Sequence, residues 1–327
     1  EMVFRAMVRD AAKFYDPLNP NADAGGFVFD AVVYSYGIIV GNGNGNSAGM
    51  QKITANSITI TALPSQSSTG IFSPAGTQDI RTKGTDADGY GLTVRNIGAT
   101  GGPEQGGFAD AAAFITSNGT QIIDVADSAG LRVLGDNGFA IINAGQFAPE
   151  IEVARQAVSQ SITVHGVGTN EILVQGGTGR AEIYSFSTTE QNITAGLAGE
   201  SGSISIRGGT QTGAIADIKA ETGSQTIITT GLLSLTGGTA PQIAAFNYDQ
   251  NDCLPACASL FSAQGLQKID ANSILVQGGA SGSENLASIR GNNGQSITVY
   301  GAAGLTILGG GGLGTSADYS NFAIIEN

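Results

Sequence analysis

Apolar and polar positions alternate along this chain in short stretches, and from residue 51 onward the stretches recur in a fixed order. The block from 160 to 190 shows the unit. Gln160-Ser-Ile-Thr-Val164 leads through Gly166 and a polar turn to Glu171-Ile-Leu-Val-Gln-Gly-Gly177, and a second turn leads to Ala181-Glu-Ile-Tyr-Ser-Phe186. Segments of about 4–6 residues rich in Ile, Val and Thr, bounded by Gly, Ser or Asn, predict three short strands. Side chains alternate across a strand, so residues i, i+2 and i+4 share a face.

Gln-x-Ile opens every block, at Gln51, Gln78, Gln121, Gln160, Gln191, Gln225, Gln267 and Gln295. With the Ile turned inward, the Gln and the residue at i+4 turn inward as well. That last position holds Ala55, Val125, Val164, Ala195, Ala271 and Val299, with Thr82 and Thr229 as exceptions, which suits a narrow interior. The second segment recurs, for example, as Ser57–Ile60, Gly130–Val133, Ser203–Ile206 and Ser273–Val276. Five copies run on into Gly-Gly, expected to supply the positive φ of a sharp corner. The third segment recurs as Phe139–Ile142, Ala214–Ile218, Gln242–Phe246, Leu286–Ile289 and Phe322–Ile325, and is irregular after Gln51 and Gln78.

Three strands per repeat predict an all-β fold: a parallel β-solenoid over residues 51–327, right-handed, with three strands per coil and about eight coils. A propeller of this period would use antiparallel meanders and recurrent aromatics, and Trp is absent. Helical repeats would need a 3.6-residue period, which the blocks lack. Stacked coils bring the eight glutamines into one column. Their amides read as a structural ladder along the axis, with a ligand-facing stripe as the alternative.

Residues 1–50 form a separate N-terminal segment without the repeat. Apolar spacing over 1–15 predicts a short helix, ended by Pro17 and Pro20, and residues 26–40 predict an apolar strand. This segment reads as a cap on the first coil or as a piece that packs on a neighbouring subunit. Its candidate subunit contacts are Phe27, Phe29, Val32, Val33, Tyr34, Tyr36, Ile38 and Ile39. At the other end, residues 321–327 read as the third segment of a complete coil, with Phe322, Ile324 and Ile325 as candidate contacts. A bare coil edge presents a row of unpaired N–H and C=O groups. If that end is native, a second copy is its simplest cover, and head-to-tail contacts that do not close generate filaments.

The 50 glycines and 13% charged residues fit stacked coils better than an average globular domain. A net charge of −13 argues against nucleic-acid partners, whose phosphates demand Lys and Arg, and against anionic membrane surfaces. No stretch reaches the roughly 20 apolar residues of a membrane span. The chain begins with Glu1 rather than Met, which suggests a removed leader or a trimmed end. Cys253 and Cys257 are the two cysteines. Their spacing favours a local disulfide and with it an oxidising compartment, hence secretion, over a free cytosolic pair.

No residues propose catalysis, and no cofactor is implied. The one histidine, His165, sits at a corner. Asp86 and Asp88 with nearby carbonyls make a weak calcium candidate and nothing stronger. A polysaccharide-active β-helix enzyme would need clustered carboxylates and cations on one face, which the sequence does not place. Thr54, Thr163, Thr194 and Thr298 form an outward row, but Arg81, Asp124, Ile228 and Asp270 interrupt the flat array that ice binding needs, and the ordinary β-propensity of Thr explains the row better.

The run Gln267-Lys-Ile-Asp-Ala-Asn-Ser-Ile-Leu-Val-Gln-Gly-Gly279, with Asn285–Ile289 and Gln295–Val299, resembles large bacterial surface β-strand-repeat proteins. Some of these accompany FecR-type domains, and they are similar to filamentous-haemagglutinin adhesins. The resemblance covers about residues 51–327 and implies a secreted bacterial surface or appendage protein. Together these readings lead to the expectation of an extracellular filament subunit that binds its own copies head to tail. A monomeric adhesin stalk presenting loops such as 247–264 to a host or carbohydrate ligand is the alternative.

Overall fold

The computed structural model describes residues 31–34, 38–40, 49–63, 68–73, 75–98, 112–126, 130–145, 157–166, 168, 170–240, 256–282, 285–311 and 321–327. Within them the chain is all-β, with no helix, and its strands pair in parallel in one 14-stranded and one 9-stranded sheet. Short segments of β-branched residues cut by Gly and Ser leave no room for a helical period, and the polar turns return the chain for the next parallel strand.

The strands fall into three rows. A first row holds the glutamine segments, from Met50–Ala55 through Thr77–Thr82, Thr120–Ala126, Ala157–His165 and Ser187–Ala195. A second row runs from Ala31–Tyr34 through Ile58–Ala62, Leu92–Asn96, Gly130–Gly135, Glu171–Gly176 and Ser203–Arg207. These two rows make the larger sheet. They merge in Ser224–Thr236, which pairs with both Ser187–Ala195 and Ser203–Arg207. First and second segments stay fused in Gln267–Gln277 and Gln295–Leu308 as well. A register shift between Thr229 and Leu232, and another between Ala271 and Ser273, takes the place of a corner in these strands. The smaller sheet is the third row, from Ile38–Val40 to Ala323–Glu326.

Register is strict because one face of the strands from Met50–Ala55 to Ala287–Gly291 is buried, and a one-residue slip would turn the inward side chains out. Gln160 pairs Gln191 and Ile162 pairs Ile193, and the same equivalence holds along the row. Inward columns such as Ile80, Ile123, Ile162, Ile193, Ile227 and Ile269 are fully or almost fully buried and form one continuous apolar core. Each such side chain contributes roughly 1.5–3 kcal/mol by leaving water.

Residues 31–34 and 38–40 lengthen two of the rows by one strand, Ala31 pairing Ile58 and Ile38 pairing Gly70. The predicted helix of residues 1–15, with Phe27, Phe29 and Tyr36, lies outside the described residues.

Two sequence readings need correction. The third-row strand after Ser224–Thr236 is Ala258–Ser262, not Gln242–Phe246, which lies outside the described residues. Its Ala258-Ser-Leu260 matches Ala181-Glu-Ile183, Ala216-Asp-Ile218 and Ala287-Ser-Ile289 in register, so the long insertion precedes this strand instead of following it. The Gly-Gly pairs, moreover, have no positive φ. All but Gly309 stand where a Cβ would strike the neighbouring block, because the backbones of successive blocks touch. A Cβ on Gly238 would lie 2.1 Å from the Gly209 carbonyl oxygen, one on Gly279 2.1 Å from that of Gly238, and one on Gly310 2.2 Å from that of Gly279.

Candidate functional site

The glutamine column forms an unbroken hydrogen-bond ladder. Each Nε2 donates to the Oε1 of the preceding glutamine, from Gln78 on Gln51 at 2.8 Å through Gln160 on Gln121 at 2.8 Å to Gln295 on Gln267 at 2.6 Å. The second N–H crosses to the third row. Gln51 reaches the Phe72 carbonyl, Gln78 that of Thr116, Gln121 that of Asn143, Gln160 that of Tyr184, Gln191 that of Lys219 and Gln225 that of Phe261, at 3.1–3.2 Å. Glu has no N–H to give and Asn is a methylene shorter, so Gln alone serves both bonds. From Gln51 to Gln267 the column is buried and its donors and acceptors are spent internally, an arrangement that ties two rows together.

At the pole formed by the last strands the pattern opens. Leu305 and Ile307 stand in register with Ile274 and Val276, which are 1% and 0% exposed, yet both are 47% exposed. Ile297, Val299, Ala323 and Ile325 pack on the core but are only partly buried, and Phe322, Leu308 and Tyr300 are exposed. Ile324 and Ile325 lie in Ala323–Glu326, in register with Ser288 and Ile289. Gln295–Leu308 and Ala323–Glu326 each pair with a strand on one side only among the described residues. At the opposite pole Val32, Val33, Tyr34, Ile38 and Ile39 lie in the outermost strands of their rows.

Three polar clusters lie off the inward apolar columns. Asp86 and Asp88, the calcium candidates, meet an internal cation instead. Arg132 Nη2 donates to Asp86 Oδ2 at 3.2 Å and to Asp88 Oδ2 at 2.5 Å, while its guanidinium lies 4.4 Å from the Tyr90 ring centre. That contact holds the Asp88 carboxyl below its ordinary range. Asp86 Oδ1 further accepts from the backbone N–H of residues 88 and 90, the geometry of a closed turn. Tyr90 donates to Glu171, and its hydroxyl is pushed up first by burial and then by that carboxylate. His165 pairs with Asp124 at 2.9 Å.

The third cluster escaped the sequence reading. Glu182 and Asp217 are lateral neighbours in the third row, both buried, with Arg180 bonded to Glu182 and 3.6 Å from Asp217. Burial raises the Asp217 carboxyl to about 6; Glu182 adds to the shift, while Arg180, Lys219 and Ser259 oppose it. The signal was the acid between two inward apolar residues in both Ala181-Glu-Ile183 and Ala216-Asp-Ile218. Among the described residues no group of three His, Cys, Asp or Glu side chains is placed to hold a metal ion. Cys257 is fully buried, and Cys253, its expected partner, lies outside the described residues. The chain matches no known family, no curated protein and no solved structure.

Proposed function

We propose that this chain is a three-sided parallel β-solenoid of about eight coils, and that it works as a structural subunit of an extracellular filament joined end to end. At about 4.8 Å per coil the subunit would add roughly 40 Å to a fibre. The observation that carries this reading is the pole of the last strands, where Leu305 and Ile307 hold core positions and no further strand covers them among the described residues. Unpaired, apolar strand edges of this kind template further pairing unless something covers them. The ladder supports a mechanical role, since it consumes interior polar groups in longitudinal and cross-row bonds. The resemblance of residues 267–299 to bacterial surface β-strand repeats fits secretion, and so would the expected disulfide between Cys253 and Cys257.

Electron microscopy of the purified chain at low and high concentration tests the reading. Fibres with an axial repeat near the coil-stack length are the expected result. Short dispersed rods at every concentration would sink it and leave the stalk reading, to be tested by screening the chain against glycans.

A further inference from the structure

We infer that the partner for the pole of the last strands is the Ala31–Tyr34 and Ile38–Val40 face of a second copy, laid on it in unbroken register so that two of the three rows run through the joint. The inference rests on the filament reading and adds its polarity, its register and the residues that make it.

What would continue the described pole is defined by its own pattern. The next strand over Gln295–Leu308 must run in the same direction and carry apolar residues at the alternate positions above Leu305 and Ile307. Ala31–Tyr34 is a strand of this kind. It lies parallel on Ile58–Ala62, with Ala31 at the level of Ile58 and Val33 at the level of Ile60, and its outer edge is unpaired among the described residues. In the third row Ile39 pairs Ile71 at one pole, while Ile325 pairs Ile289 at the other. Translating one copy along the rows therefore sets Ala31 over Leu305, Val33 over Ile307 and Ile39 over Ile325.

A two-fold contact between identical poles does worse. It would set the strands antiparallel and, in a three-sided body, exchange two rows of different sequence. Translation alone maps each row onto itself, and a translational contact does not close, so it propagates. The first row has no described strand beyond Met50–Ala55, so the joint is carried by the other two.

Two variants of the full chain test this. Ile307→Lys puts a charge on a side chain already exposed, so it should leave the fold intact while blocking the tail. Val33→Lys blocks the head, with Ile39→Lys as its substitute if the first fails to show the wild-type circular dichroism and melting. Each variant alone should be monomeric by analytical ultracentrifugation where wild type polymerises, the association constant falling by about a hundredfold or more because a charge would be buried unpaired. Mixed one to one, they should give a dimer and nothing longer, since the pair holds one intact tail and one intact head.

Dimers of the Val33→Lys chain alone would overturn the polarity in favour of a tail-to-tail contact. Polymers of Ile307→Lys, or folded variants that fail to complement each other, would overturn the register. Wild type that stays monomeric at all concentrations would instead remove the filament reading beneath it.

Discussion

Replacing Gln191 by Leu tests the ladder where it is most connected. Gln191 is fully buried, donates to Gln160 Oε1 at 2.7 Å and to the Lys219 carbonyl at 3.2 Å, and accepts from Gln225 Nε2 at 2.7 Å. Leu fills most of the volume but breaks the chain of amides. It strands the Oε1 of Gln160 and one N–H of Gln225, at about 1–3 kcal/mol for each buried orphan. Against this, the more apolar side chain returns about 1 kcal/mol. The net loss should be about 3 kcal/mol. Gln295→Leu strands only the acceptor of Gln267 at a partly open pole, so about 1 kcal/mol or less is expected. The double variant Gln160→Leu/Gln191→Leu is the sharper measurement. It still leaves two orphans, now the Oε1 of Gln121 and the N–H of Gln225, so it should cost about as much as either single change. The coupling energy would then be near 3 kcal/mol, far outside what independent sites show. Urea unfolding followed by far-ultraviolet circular dichroism reads all four numbers. Singles that simply add, or a central change no costlier than the terminal one, would refute the ladder as a cooperative unit.

Four further outcomes are expected. Gly310→Ala, whose Cβ would meet the Gly279 carbonyl at 2.2 Å, should destabilise by about 3 kcal/mol or more, whereas Gly309→Ala, with no atom within 4 Å of the added Cβ and no positive φ, should be neutral by melting temperature. The Asp217 carboxyl, raised from 3.8 to about 6, holds its proton more tightly folded than unfolded. Its contribution is therefore complete below pH 3.8 and is lost as pH rises through 6, by roughly 3 kcal/mol at most. Asp217→Ser, which takes the residue found in the same register at Ser259, should flatten that part of the pH–stability profile. Arg132→Lys keeps the charge but loses the Tyr90 stacking and the bond to Thr93, so it should cost about 1–2 kcal/mol by urea unfolding. Because Arg132 already occupies Asp86 and Asp88 as an internal cation, calcium should leave the wild-type melting temperature unchanged.

Where sequence spoke clearly it did so through alternation with a fixed inward partner. Gln-x-Ile marks the first row because the ladder demands one residue type and the core demands a branched one beside it. The third row was legible only in part. Its motif is Ala-x-Ile, seen at Ala140, Ala181, Ala216 and Ala287, and Ala258-Ser-Leu260 satisfies it only with Leu in place of Ile. Gln242-Ile-Ala-Ala-Phe246 is also a short apolar segment, and apolar character alone cannot say which of two candidate segments the neighbouring strand accepts. The corners were harder still. A Gly-Gly pair reads the same whether it supplies a positive φ or makes room for a carbonyl, and the choice depends on how closely the next block approaches, a distance no local pattern encodes.

The same reasoning separates what is fixed from what is free to vary on this body. Along the first row the inward column repeats Gln and Ile, while the outward column runs Thr54, Arg81, Asp124, Thr163, Thr194, Ile228, Asp270 and Thr298 in register. Lateral neighbours outside are only one strand spacing apart, about 4.8 Å, so an unbroken column of like charges would be costly. Local pairs meet that constraint here: Arg81 beside Asp79 and Asp124, His165 beside Asp124, and Lys268 beside Asp270. The interior thus dictates stacking, and the exterior need only avoid opposing it. That asymmetry is why the poles, where interior positions come to the surface at Leu305 and Ile307, are the places on the described surface where the core's own logic calls for a partner.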